Sequence, residues 1–190
     1  MRREIGFELC VLVLLFPMSV TAQSEYHLRV VRPIAVSSIG QEFLCAGPYS
    51  TSECKQQITI LQRSLHRYAA EGLGHWTFVI IRSDDWKSIL DRLHLNPSSP
   101  AFSQLQMRQT FFDEALLVPS PKRLAELIDK WHMPFDQLLD FAVTHELGHT
   151  MCREPDEIKA ELIAKDLRRV FTDGPVGTAT TQRTTQLCKR

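Results

Sequence analysis

The chain is predicted to take an α+β fold, a small mixed sheet packed on helices, and three observations carry that expectation. Runs rich in β-branched and aromatic residues recur through the first two thirds of the chain. Between them lie stretches whose apolar residues repeat at helical spacing, separated by short Pro- and Gly-containing breaks. The last third then reads as two consecutive helices, the first bearing two histidines four residues apart.

The first segment is not expected in the mature protein. Arg2 and Arg3 precede an apolar run from Leu9 to Phe16, and Val20-Thr21-Ala22 is a small-residue cleavage site, which together describe a secretory signal peptide over residues 1–22. The run is far shorter than the roughly 20 residues of a membrane span. Cleavage after Ala22 leaves residues 23–173 as one expected domain, followed by a threonine-rich tail, 174–190, without apolar periodicity and expected to be flexible apart from Cys188. Secretion or periplasmic residence follows, with no membrane span once the signal is removed.

Within the domain, Tyr26 to Val36 is a candidate first strand and Ala46 to Ser50 a loop. Thr51 or Ser52 can cap a helix on which Ile58, Leu61, Leu65 and Tyr68 share a face, up to a stop at Gly72-Leu73-Gly74. Trp76 to Ile81 reads as a buried strand. Asp84 and Asp85 open a short helix through Leu95 with Trp86, Ile89, Leu90 and Leu93 on its apolar side, ended by Asn96 to Pro100. Thr110 to Val118 is the next strand, and Lys122 to Trp131 the next helix. Pro134 begins the histidine-bearing helix, and Asp156 to Phe171 forms the last. No internal repeat or Gly-rich phosphate loop is present in the sequence.

Charge excludes some partners. Lysine plus arginine equals aspartate plus glutamate at 22 each. The signal carries Arg2, Arg3, Glu4 and Glu8, so the mature chain stays balanced at 20 against 20. Neither nucleic acid nor an anionic membrane is an expected partner.

Val143-Thr144-His145-Glu146-Leu147-Gly148-His149 carries the chemistry. Histidines at i and i+4 stand on one helical face, so His145 and His149 can reach a single metal ion. Glu146 projects beside that ion, placed to take a proton from a water that the metal activates. Phe141, Ala142 and Val143 are apolar, as a helix buried beneath a cleft requires. Gly148 costs the helix roughly 1 kcal/mol relative to alanine, which predicts close approach of another backbone.

A catalytic zinc site takes three protein ligands and leaves a fourth position open. Glu154 to Glu161 reads as a break followed by a helix, with Pro155 suited to its first turn. Glu157 is the expected third ligand. Glu161, one turn on, is expected to accept a hydrogen bond from a ligand histidine ring and fix its tautomer. Glu154 and Glu161 are the alternative ligands. Cys152 lies on nearly the same stripe as the histidines but about 10.5 Å along the axis from His145, too far to share an ion with bonds of about 2.0–2.3 Å.

These residues resemble the zincin metallopeptidases, and within them the gluzincin branch, in which a His-Glu-x-x-His helix precedes a second helix supplying a glutamate ligand. The resemblance covers roughly residues 135–169. It implies a zincin-like fold, one zinc per chain held by His145, His149 and Glu157, Glu146 as general base, and a peptide or protein substrate. By the same resemblance, Thr110 to Val118 would be an edge strand that binds extended peptide by strand addition. Two departures stand out: Glu161 occupies a position where that branch often has aspartate, and the connection from His149 to Glu157 is shorter than in thermolysin-like enzymes, implying a compact version of the fold. An oxyanion-stabilising residue cannot be assigned; His132, Tyr68, His75 and Arg153 are available by type alone.

With Cys10 lost in the signal, Cys45, Cys54, Cys152 and Cys188 remain, an even number suited to two disulfides in an exported protein. Four cysteines allow three connectivities. Local proximity favours Cys45 with Cys54, leaving Cys152 with Cys188. Three functions are open to such a chain: an exported zinc peptidase, a secreted zinc-binding module of the same fold without turnover, and a disulfide-stabilised domain whose histidines bind no metal.

Overall fold

Side-chain alternation gives the sheet two apolar faces, and each face is covered by helices. The computed structural model describes residues 40–68, 70–118, 120–172 and 188. Its four strands are β1 (Gln41–Ala46), β2 (Trp76–Ile81), β3 (Ala101–Gln104) and β4 (Gln109–Asp113), in spatial order β1-β2-β4-β3. The first three neighbours run parallel and β3 pairs antiparallel with β4, a mixed sheet as expected. Five α-helices lie among the described residues: α1 (Thr51–Arg67), α2 (Ser83–Arg92), α3 (Pro121–Trp131), α4 (Phe135–Cys152) and α5 (Glu157–Thr172).

Phe43, Cys45, Phe78, Ile80, Ala101 and Phe112 point to one face, where they meet Ile58, Leu61 and Leu65 of α1 and Leu138, Ala142 and Leu147 of α4. Val79, Ile81 and Phe111 point to the other, against Trp86, Ile89 and Leu90 of α2. Burying a side chain of this size contributes about 1.5–3 kcal/mol, so the two clusters hold the sheet between its helices. A buried ion pair ties the end of β4 to α3, with Arg123 Nε donating to Asp113 Oδ2 at 2.7 Å.

The predicted helices and the Trp76–Ile81 strand form, with small shifts at their ends. Ser50, rather than Thr51 or Ser52, caps α1, closing a capping box with Glu53. The α2 helix stops at Arg92, three residues short of Leu95. The expected signal segment, the Tyr26–Val36 candidate strand and the expected tail, Cys188 apart, lie outside the described residues.

Two strands were not anticipated and one was misplaced. Gln41–Ala46 forms β1 although Gln41 and Glu42 dilute its strand character; parallel pairing with β2 over all six residues compensates. Ala101–Gln104 is too short to announce itself, and forms β3 by pairing with β4 across the Leu105–Arg108 turn. The expected Thr110–Val118 strand ends at Asp113, whose side chain accepts from the Ala115 N–H and starts a 3-10 turn over Glu114–Leu116. Nor is it an edge: β4 lies between β2 and β3, and among the described residues the end strand on this side is β3.

Both favoured disulfides are present, Cys45–Cys54 joining β1 to α1 and Cys152–Cys188 joining Cys188 to the end of α4. They point to an oxidising, extracellular environment. Among the described residues no helix is long and apolar enough to cross a membrane.

Candidate metal centre

The α4 helix is buried nearly all round its second half. Ala142, Val143, Thr144, Leu147, Gly148 and Thr150 are buried together with Glu146 and His149, as in a helix enclosed by its neighbours. Pro134 precedes it in extended conformation, and Arg153, at φ 51°, ends it in the left-handed region with its N–H donating to the His149 carbonyl. That turn brings α5 back along α4. The crossing is made of small residues: Ala160 and Ala164 are fully buried, and Gly148 lies against the Ala160 backbone, the close approach its presence predicts.

The turn also carries Glu157 over the histidines. His145 Nε2 lies 3.0 Å from Glu157 Oε2 and 3.2 Å from His149 Nε2, and His149 Nε2 lies 3.5 Å from the same Glu157 oxygen. A tetrahedral site with bonds of about 2.0–2.1 Å has ligand-to-ligand edges of about 3.3–3.4 Å, so the three atoms have the spacing of one face of such a site. Proton positions point the same way. His149 Nδ1 lies 2.6 Å from the Glu154 carbonyl, and His145 Nδ1 lies 3.2 Å from Glu161 Oε2. The Glu154 carbonyl can only accept, so His149 places its N–H at Nδ1 and turns a lone pair outward at Nε2; Glu161 gives His145 Nδ1 an acceptor of its own, which frees its Nε2 lone pair for an ion when one is bound. Two such lone pairs and a carboxylate oxygen converging on one point suit a cation. His145, His149 and Glu157 are thus a group that can hold a metal ion.

A further layer holds the rings. Glu161 accepts from Arg168 Nη2 at 2.6 Å while facing His145. Arg168 also donates to the Thr144 hydroxyl, which donates to the Asp140 carbonyl at 2.7 Å, and its guanidinium lies over the Phe141 ring. Asp140 is held in turn by Arg67 and by the Tyr68 hydroxyl at 2.7 Å. Glu161 thus lies between the His145 ring and the Arg168 guanidinium. Glu154 contributes its backbone carbonyl, and its side chain accepts from the Asp156 N–H. Arg168 was not singled out in the sequence, because only the helical repeat from Glu161, seven residues on, could have indicated it.

Glu146 projects to the sheet side of α4 and is buried, with Oε2 accepting from the Ser103 hydroxyl at 2.6 Å. Burial pushes its carboxyl up to about 7; the Ser103 hydrogen bond and His149 act against that shift, and Glu157 adds to it.

Beside the histidines runs a cleft of about 880 Å³. It is lined by Leu95, Pro100, Trp131 and Phe141 together with β3, His145, His149 and Glu157. None of His132, Tyr68, His75 and Arg153 lines it. Tyr68 is buried against Asp140, His132 and Arg153 are left-handed helix ends, and His75 is exposed.

The fold and site define a disulfide-bonded α+β protein with a two-histidine, one-glutamate group suited to a metal ion. Comparison with protein-family models, curated proteins and solved structures finds no match.

Proposed function

We propose that the protein is an exported, zinc-dependent peptidase of the zincin type. The observation that carries the reading is the convergence of His145 Nε2, His149 Nε2 and Glu157 Oε2 at 3.0–3.5 Å beside an apolar cleft, with a buried carboxylate on the next residue of the same helix. When bound, zinc would polarise a scissile carbonyl and bring the pKa of water down toward about 7.

The chain's own groups divide the remaining work. His145 and His149 present fixed lone pairs because Glu161 and the Glu154 carbonyl hold their Nδ1 protons. Glu146 takes the proton of the attacking water and passes it to the leaving amine, acting as base and then as acid. Its position off the cleft wall, behind Ser103, shields it from bulk solvent. An extended peptide can pair with the outer edge of β3, which borders the cleft and is the sheet's end strand among the described residues. The two disulfides support export, and an N-terminal segment with the pattern of a secretory signal agrees with it.

Zinc analysis and hydrolysis of quenched fluorescent peptides by wild type and Glu146→Gln test the reading. One zinc per chain in both, with turnover only in the wild type, is the expected result. A Glu146→Gln protein as active as wild type removes Glu146 from its role; a zinc-bound but inactive wild type leaves a binding module.

A further inference from the structure

A chain of two hydroxyls, Thr110 buried and Ser103 half-buried, runs from the middle of the sheet to Glu146. Thr110 is fully buried on β4, and its Oγ1 lies 3.0 Å from Trp76 Nε1 on β2 and 2.8 Å from Ser103 Oγ on β3. Ser103 pairs directly with Thr110 across the antiparallel strands and reaches Glu146 Oε2 at 2.6 Å. Strand alternation puts all three side chains on the face that α4 covers.

Hydrogen-bond chemistry fixes the direction of the chain. An indole N–H can only donate, so Thr110 accepts from Trp76. With Glu146 ionised, as it must be to act as a base, its carboxylate only accepts, so Ser103 gives its single proton to Glu146. Thr110 then gives its own proton to Ser103. Every hydroxyl is used once as donor and once as acceptor, and the orientation that satisfies all of them delivers a donor to Glu146. No hydrogen bond to Glu146 Oε1 occurs among the described residues.

We propose that Ser103, backed by Thr110 and Trp76, is a positioning residue that holds the Glu146 carboxylate by Oε2 and leaves Oε1 to work at the metal centre. Ser103 also lies on β3, the end strand among the described residues, and lines the cleft. The strand that borders bound substrate is thereby the strand that aims the base. The inference rests on the peptidase reading for its catalytic consequence, but the relay itself is a property of the folded chain.

The test uses zinc-loaded full chain carrying ¹⁵N-tryptophan, with the Trp76 indole resonance assigned through Trp76→Phe. Ser103→Ala and Glu146→Ala are expected to move that resonance, while Glu157→Ala, outside the relay, is expected to leave it in place. On quenched fluorescent peptides of mixed sequence, Ser103→Ala is expected to lower kcat about 10- to 100-fold, the range for removing a supporting partner, with KM within about twofold and zinc content unchanged. Ser103→Thr keeps the hydroxyl and should restore most of kcat; it also serves if Ser103→Ala folds poorly. A Trp76 resonance indifferent to Ser103 and Glu146 overturns the proposal, as does a rise in KM at unchanged kcat, which would make Ser103 a substrate contact. If wild type shows no turnover the peptidase reading fails, and the indole resonance alone decides the relay.

Discussion

Gly148 of α4 and Ala160 of α5 touch backbone to backbone: a β-carbon at Gly148 would lie 3.0 Å from the Ala160 carbonyl carbon and closer still to its oxygen. The contact sets the distance between the helix that carries both histidines and the helix that carries Glu157 and Glu161. Gly148→Ala should therefore destabilise the protein, because overpacking costs about 1–3 kcal/mol and exceeds the roughly 1 kcal/mol that alanine returns in helix propensity. Zinc affinity should fall with it as α5 shifts. Denaturant midpoints and zinc titration check this, and a more stable Gly148→Ala protein would contradict the observed contact.

The three ligand positions should not be equal. His149 is mostly buried and held by the Glu154 carbonyl, whereas the Glu157 side chain is 77% exposed. His149→Ala should abolish stoichiometric zinc, and Glu157→Ala should weaken it while water fills the vacated position. Glu161→Gln should cost about 10- to 100-fold in affinity, as for other partners of ligand histidines. Competition with a chromophoric chelator orders the variants; equal affinities for wild type and Glu157→Ala would remove Glu157 from the site.

The disulfides should differ in weight. Loop-closure entropy assigns roughly 3 kcal/mol to the Cys45–Cys54 loop, of separation 9, and roughly 4 kcal/mol to Cys152–Cys188, of separation 36. Paired replacement by alanine, followed by urea unfolding, should show the larger loss for the second pair. The reverse order would mean that the tail's constraint is not felt in the unfolded chain.

Alkaline pH should reveal Tyr68. Burial, and then its hydrogen bond to Asp140, push its phenol up to about 12 from an ordinary 10.0. The unfolded chain loses that proton first, so the stabilisation is complete below pH 10 and is lost as pH rises from 10 toward 12. Tyr68→Phe should be less stable at neutral pH, having lost the hydrogen bond, and should show a shallower alkaline decline. Tyr49, also pushed upward mainly by burial, keeps its own share of that slope. An unchanged alkaline slope in Tyr68→Phe would contradict the assignment.

Local pattern was enough to read much of this molecule. Helical repeats such as Ile58, Leu61 and Leu65 announced α1, the β-branched run announced β2, and the i, i+4 spacing of His145 and His149 put both rings on one face before any fold was known. Gly148 signalled a close helix contact because its helix-propensity cost needs a compensating reason. Pairings between distant residues were not readable in that way. Ala101–Gln104 is a strand only because β4 offers it partners, and Thr110 to Asp113 is central rather than peripheral because β2 and β3 take its two sides. The turn at Arg153 decided that Glu157 meets both histidine rings, and the packing of α4 on β3 decided that Ser103 meets Glu146. Residue type and spacing therefore determined which groups this protein has for metal chemistry; the tertiary structure decided their neighbours, since hydrogen bonds and ligand geometry act over a few ångströms between residues far apart in the chain.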